Sequence, residues 1–379
     1  MKRIKKKIAL FSGYFVPHIG GVERYTEKLS IELSKLGFDV VVVTFNYPYS
    51  KNIEGNKYYK IYRLPIINLF RKRYPLPKIN NEYRHLINEI EKENIDYFIV
   101  NTRFHLTSLI GSRIGKKLKK KVYLIEHGSS HLTVDNKVLD FFGSIYEHIL
   151  TLIIKRYVDK YYGVSMKCNE WLEHFNIKAS GVFYNSIDAN ISKADFIQYD
   201  DYFNKDDIII AYAGRLVKEK GILNLLEAFN KIKFKYSNIR LVIAGDGPLN
   251  DKIKKEYNDD KIIFLGKISF DNVLSLFKRA DIMVNPTILS EGMPTSILEA
   301  GLMECAIIAT PKGGTTELIV NEDYGNIVDE SAESISNKLI YLIDNKKVRM
   351  RQGKIISRHI RNNFSWEKCA KEIAHNLDN

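Results

Sequence analysis

The strongest constraint on this chain is a rhythm that occurs twice. Short runs of β-branched and apolar residues alternate with stretches of helical periodicity. In the first half the runs are Ile8–Phe11, Val40–Phe45, Tyr97–Val100, Val122–Ile125 and Tyr161–Val164. Each is apolar at successive positions, so both faces need cover, as in a parallel sheet between helices. After the first run, Val22, Tyr25, Leu29, Leu33 and Leu36 recur at helical spacing and Gly37 supplies a stop, which predicts a helix from about Val22 to Leu36. The pattern restarts with Ile208–Ala213, Leu241–Ala244, Ile262–Leu265, Ile282–Asn285 and Ala306–Ala309. Helices fit at about 221–235, 270–279, 295–303 and 332–344, with a last one from Trp366. Alternation of this kind gives an α/β, doubly wound fold. The polar, poorly periodic stretch from Asp188 to Asp207 reads as a linker. The expected division is a Rossmann-like domain over 1–190, a second over 191–360, and a closing segment, 361–379, that returns to the first.

A length of 379 residues has room for two such domains. Hydrophobic residues at 45% and charged residues at 27% exclude a disordered, collagenous or coiled-coil chain. Cys168, Cys305 and Cys369 are too far apart for a zinc module or a disulfide framework, so a reducing, cytoplasmic setting is expected. No apolar stretch is long enough to span a membrane, since Phe141 to Ile154 is short and contains Glu147 and His148. The basic start and apolar run at the N-terminus imitate a secretory signal, but the run is short and leads into a Gly-Gly turn, so it reads as a first buried strand.

Charge is unevenly placed. Residues 1–190 hold 31 Lys+Arg against 18 Asp+Glu, a net of 31 − 18 = +13, which equals the net charge of the whole chain. The clusters are Lys2 to Lys7, Arg71-Lys72-Arg73 and Lys116 to Lys121. They fit either a solvated surface or a half-molecule drawn to an anionic membrane or acceptor, each basic residue near such a surface contributing about 1 kcal/mol. No nucleic-acid motif accompanies them, so nucleic acid is not an expected partner.

In open α/β sheets the chemistry sits on loops at the carboxyl ends of the strands, and a cleft between two domains is a common ligand site. Gly20-Gly21 follows the first strand and opens a helix, either as a structural turn or as backbone that approaches a phosphate. Gly214-Arg215 and Lys220-Gly221 bound one loop. They are either two surface cations or a guanidinium and an ammonium suited to a diphosphate. Gly245-Asp246-Gly247-Pro248 is a tight turn that reads first as a loop shaping the fold. The stretch Ser290 to Ala300 is a polar turn followed by a helix start, a favourable place for an anion. Within it, Glu291 and Glu299 are either a capping acid and a surface residue, or acceptors for different hydroxyls of one polyhydroxylated ligand. Glu299 is flanked by Leu298 and Ala300, and a carboxylate so placed needs a partner. Gly313-Gly314 marks another turn. His127-Gly128 follows the strand ending at Ile125 and is structural or catalytic.

Taken in this order and spacing, these pieces resemble the family 4 retaining glycosyltransferases of GT-B architecture, two Rossmann-like domains facing a central cleft. The matching pieces are Gly20 to Arg24, Gly214-Arg215-Leu216 with Lys220-Gly221, Gly245 to Pro248, Phe264-Leu265-Gly266, and EGMPTSILE from Glu291 to Glu299. The resemblance implies that Arg215 and Lys220 bind the diphosphate of a UDP- or GDP-sugar donor, and that the Gly20-Gly21 backbone meets the phosphates or the acceptor. It implies that Glu299 holds the ribose, and that Glu291 with the Gly292-Met293-Pro294 backbone sits near the transferred sugar. Gly214, Gly245 and Thr295 would line the donor site, and His127 would lie near the sugar from the first domain. Catalytic roles fall to Glu291, His127, Arg215 and Lys220. Ser165 and Asn185 also match motif positions, without a clear role. The chain has no Asp-x-Asp, so no metal ion and no cofactor is expected. A lipid-linked or growing glycan acceptor is expected, at the cytoplasmic face of the inner membrane. Two rivals share the architecture, a sugar-nucleotide epimerase and a silent binding subunit. Release of nucleoside diphosphate only with acceptor would separate the first, and the presence of Arg215, Lys220 and Glu291 speaks against the second.

Overall fold

The computed structural model describes residues 5–18, 20–47, 51–67, 75–133, 136–189, 191 and 203–378. Lys2, Arg3, Arg71, Lys72, Arg73 and most of the expected linker lie outside the described residues. The chain divides into two compact units, 1–185 with 366–379, and 186–365.

The strands of the first unit are β1 (Lys7–Phe11), β2 (Asp39–Phe45), β3 (Ile53–Gly55), β4 (Tyr59–Leu64), the short pair β5 (Ile66–Ile67) and β6 (Leu76–Pro77), β7 (Tyr97–Asn101), β8 (Lys121–Glu126), β9 (Lys160–Gly163) and β10 (Gly181–Val182). Eight of them form one sheet in the order β10-β9-β8-β7-β1-β2-β4-β3, parallel throughout except for β3 against β4. Ile8, Ala9, Leu10 and Phe11 are fully buried, as the unbroken apolar run demands. The predicted helix runs Gly21–Lys35 and buries Tyr25, Leu29 and Leu33. It ends in a Schellman motif. Gly37 takes φ +97, the Gly37 N–H reaches the Ser34 carbonyl, and the Phe38 N–H reaches the Leu33 carbonyl. The last helix, Trp366–Asp378, belongs to this unit, where Trp366 meets the Tyr25 ring edge-on at 5.2 Å.

The second unit has β11 (Ile208–Ala213), β12 (Ile239–Ala244), β13 (Ile262–Gly266), β14 (Ile282–Asn285), β15 (Ala306–Ala309) and β16 (Asn326–Ile327). They form a six-stranded, wholly parallel sheet in the order β13-β12-β11-β14-β15-β16. Numbered within the unit this is 3-2-1-4-5-6, the doubly wound dinucleotide-binding order, whose direction of winding reverses between β11 and β14. The first unit reverses in the same way between β1 and β7. The short strands β3, β5, β6 and β10 have no period to announce them. The helix Lys346–Asn363 is also unannounced, because it is rich in Lys and Arg and buries only a narrow stripe including Ile356 and Ile360. Among the described residues no helix is long and apolar enough to cross a membrane. Cys168, Cys305 and Cys369 are buried, and none forms a disulfide among the described residues.

Candidate functional site

In the second unit the loops after β11 and β14 leave the sheet at its switch point, where the crevice of a doubly wound sheet forms. Backbone locks these loops together. Gly221 takes φ +68, and a Cβ there would lie 1.9 Å from the Pro286 carbonyl oxygen, so only glycine allows the approach. The Ile288 N–H donates to the Glu219 carbonyl, and the Thr287 hydroxyl oxygen lies 3.2 Å from the same carbonyl oxygen. This closure brings Lys220 to Glu291, with Nζ donating to Oε1 at 2.5 Å, while the Thr287 hydroxyl donates to the same oxygen at 3.0 Å. The ammonium and carboxylate that the sequence separates are therefore one pair, about a third exposed on each side. Gly313 fixes the Glu291 backbone from the loop after β15, since a Cβ there would meet the Glu291 carbonyl oxygen at 1.9 Å, and the Gly314 N–H donates to the Gly292 carbonyl.

Arg215 is exposed and its guanidinium has no protein partner among the described residues. Its backbone is held: the buried Tyr212 hydroxyl donates to the Arg215 carbonyl at 3.0 Å. Burial, and then the nearby Glu291, push the Tyr212 phenol well above its usual range, so it stays a donor. Gly245 packs backbone to backbone, a Cβ there falling 1.9 Å from the Gly214 carbonyl oxygen. Met293 is buried, Pro294 precedes the helix Thr295–Leu302, and Glu299 lies inside that helix at 7% exposure. Thr287 and Tyr212 escaped the sequence reading. A threonine just after a buried strand, five positions before a Gly-Met-Pro turn, was the available signal for the first.

In the first unit the two glycines separate. A Cβ on Gly20 would strike the Glu23 carboxylate at 2.2 Å, so Gly20 makes room for a side chain of its own helix. A Cβ on Gly21 would meet nothing, leaving the start of the helix Gly21–Lys35 open. His127 follows β8. Its Nε2 lies 2.9 Å from Asn101 Oδ1, and Asn101 Nδ2 donates to the Phe11 carbonyl. That second bond fixes the amide, so Oδ1 accepts and His127 carries its proton on Nε2, leaving Nδ1 as an acceptor. Burial, and then His105, push His127 down to about 3, so the ring is neutral near pH 7.

Residues 19–191 match the model described as Glycosyltransferase Family 4, and residues 195–359 match that described as Glycosyl transferases group 1. The chain belongs to the family 4 glycosyltransferases. It is similar to an uncharacterised glycosyltransferase of Methanocaldococcus jannaschii, 29% identical over 97% of each chain. It is 26% identical to the gpi3 subunit of phosphatidylinositol N-acetylglucosaminyltransferase from Schizosaccharomyces pombe, over 89% of this chain and 74% of that one. Its fold is the GT-B fold, similar to that of Anabaena HepE in complex with UDP and glucose, with a TM-score of 0.76 at 14% identity over 98% and 99% of the two chains.

This glycosyltransferase has a further feature that sequence reasoning missed, a buried ion network behind His127. Glu126 Oε1 accepts from the His127 and Gly128 N–H groups at 3.1 and 2.9 Å, shaping the loop. Its Oε2 lies 3.3 Å from Arg103, whose other arm donates to Glu147 at 2.7 Å. The guanidinium also lies 4.0 Å from the Phe175 ring centroid. The clue available was a Glu closing the apolar run YLIE. Ser165 caps the helix Met166–Glu173 by accepting from the Cys168 N–H, and Asn185 is buried.

Proposed function

We propose that this glycosyltransferase moves a hexose-type sugar from a UDP- or GDP-sugar to a lipid-linked or growing glycan acceptor. Anomeric configuration is retained and the transfer step needs no metal ion. The Lys220–Glu291 pair at the switch point, beside an exposed Arg215, is the observation that supports it most. A diphosphate entering there finds one guanidinium without a protein partner and one ammonium held by a single exchangeable carboxylate. As the nucleoside diphosphate departs, both cations stabilise the charge that develops, in fixed positions and at little reorganisation cost. Glu291, released by Lys220 and still held by Thr287, is placed to accept hydrogen bonds from the sugar. Glu299 meets the ribose, the open helix start at Gly21 approaches phosphate or acceptor, and neutral His127 accepts from a sugar hydroxyl through Nδ1. A nucleoside diphosphate in the HepE structure and a relative named for phosphatidylinositol are in keeping with the donor and acceptor classes.

The first unit offers a membrane surface. On the helix Lys137–Ile154, Val138, Phe141, Phe142, Ile145, Ile149 and Leu152 are exposed at helical spacing, with Lys137, Lys155 and Arg156 at its ends. An apolar stripe flanked by cations suits an anionic bilayer at the cytoplasmic face.

The test is a panel of sugar nucleotides incubated with and without lipid-linked acceptors, followed by product analysis. Nucleoside diphosphate released only with acceptor, and a product of unchanged anomeric configuration, are expected. Conversion of the donor sugar without any acceptor would overturn transfer in favour of epimerisation. Sedimentation with anionic vesicles at low salt, lost on replacing Phe141 and Phe142 by Ser, tests the membrane surface.

A further inference from the structure

Three histidines distant in sequence meet in the first unit. His131 lies in the loop after β8, His148 on the helix Lys137–Ile154, and His174 caps the helix Met166–Glu173. Their ring centroids form a near-equilateral triangle of 5.2, 5.2 and 5.5 Å. One ligand nitrogen from each lies within 4.8 Å of the others. Three imidazoles on a tetrahedral zinc ion, with Zn–N of about 2.0 Å, place their centroids about 5 Å apart and their nitrogens about 3.3 Å apart. The triangle therefore has the right span, and small side-chain rotations close the nitrogens.

The hydrogen bonds set the tautomers. His148 Nδ1 lies 2.8 Å from the Ser144 carbonyl, an acceptor only, so Nδ1 carries the proton and Nε2 the lone pair. His131 Nδ1 lies 3.1 Å from Glu147 Oε2, and among the described residues its Nε2 meets the Ser144 hydroxyl at a long 3.4 Å. A ring that donates Nδ1–H to a carboxylate or carbonyl while exposing Nε2 is how proteins orient metal-binding histidines. His174 is held by stacking on Trp171, at 4.7 Å and 6°, and its ring has no hydrogen-bond partner among the described residues. It is exposed, which leaves a route for an ion and for a solvent ligand. Arg103, Glu126 and Glu147 behind the cluster sum to one negative charge, which favours a dication.

We propose that His131, His148 and His174 bind a borderline divalent metal ion, zinc first, through Nε2 of His131 and His148 and one ring nitrogen of His174. The ion ties together the loop after β8 and two helices, one of them bearing the apolar stripe. Its place is structural, and no step of sugar transfer passes through it.

Metal-free, untagged full-length chain is titrated with Co2+, read by visible d–d absorption, and with Zn2+ in competition with a chromophoric chelator. One ion per chain with a tetrahedral Co2+ spectrum is expected. Affinity falls by roughly tenfold or more in His148→Ala and in the exposed-site variant His174→Ala, and is unchanged in the control His85→Ala. Thermal melts without metal check that each variant is folded. No saturable binding, or binding that His148→Ala and His174→Ala leave unchanged, would overturn the site in favour of an aromatic packing cluster.

Discussion

The two units solve the same problem, placing charge near the carboxyl ends of the strands of a doubly wound sheet, in opposite ways. In the second, Lys220 and Glu291 keep about a third of their side-chain surface exposed, and Arg215 has no protein partner among the described residues. In the first, Arg103, Glu126 and Glu147 are at most 3% exposed and pair with one another. An exposed pair is weak and exchangeable, because water competes for both partners. A buried one costs desolvation and is harmful to break singly. Exposure therefore marks charges that a ligand can recruit, and burial marks charges that shape a loop.

The largest expected effect tests the buried side. Arg103→Leu strands two carboxylates in the interior and should lower unfolding free energy by about 3–5 kcal/mol in urea titrations. A loss under 1 kcal/mol would erase the contrast. Lys220→Ala should reverse the pattern. It weakens nucleoside-diphosphate binding by about 1.5–3 kcal/mol, the scale of a charged hydrogen bond, and changes stability by less than about 1 kcal/mol. Thr287→Val removes one neutral donor to Glu291 and should reduce kcat/KM by a factor equivalent to about 1 kcal/mol. The last test uses acid. His127 has a folded value of about 3, below the roughly 6.5 of an unfolded histidine. The unfolded state therefore binds the extra proton first, and the stability tied to neutral His127, present above about 6.5, is lost as pH falls toward 3. The stability gap between wild type and His127→Gln should narrow over that window, and a constant gap would contradict the neutral buried ring.

Some of this was legible in the sequence for physical reasons. Strands buried on both faces leave apolar runs, and β1, β2, β7, β8, β11, β12 and β14 stand where those runs predict. Glycines also spoke, because Gly221 and Gly313 occur where backbone touches backbone. At Gly20 an added Cβ would meet the Glu23 carboxylate, so there the missing side chain gives room to a residue of the same helix. Pairings across long separations were silent. Lys220 and Glu291 are 71 residues apart, and Arg103 and Glu147 are 44 apart. No local pattern reports a contact between elements so far apart along the chain. The histidine triangle was invisible for the same reason, as its members lie on three separate elements.

The most direct measurement is calorimetric titration of UDP and of GDP into wild type, Arg215→Ala and Lys220→Ala. Saturable binding of at least one nucleotide to the wild type, weakened roughly tenfold or more in each variant, is the expected result. Equal affinity in all three proteins would contradict it.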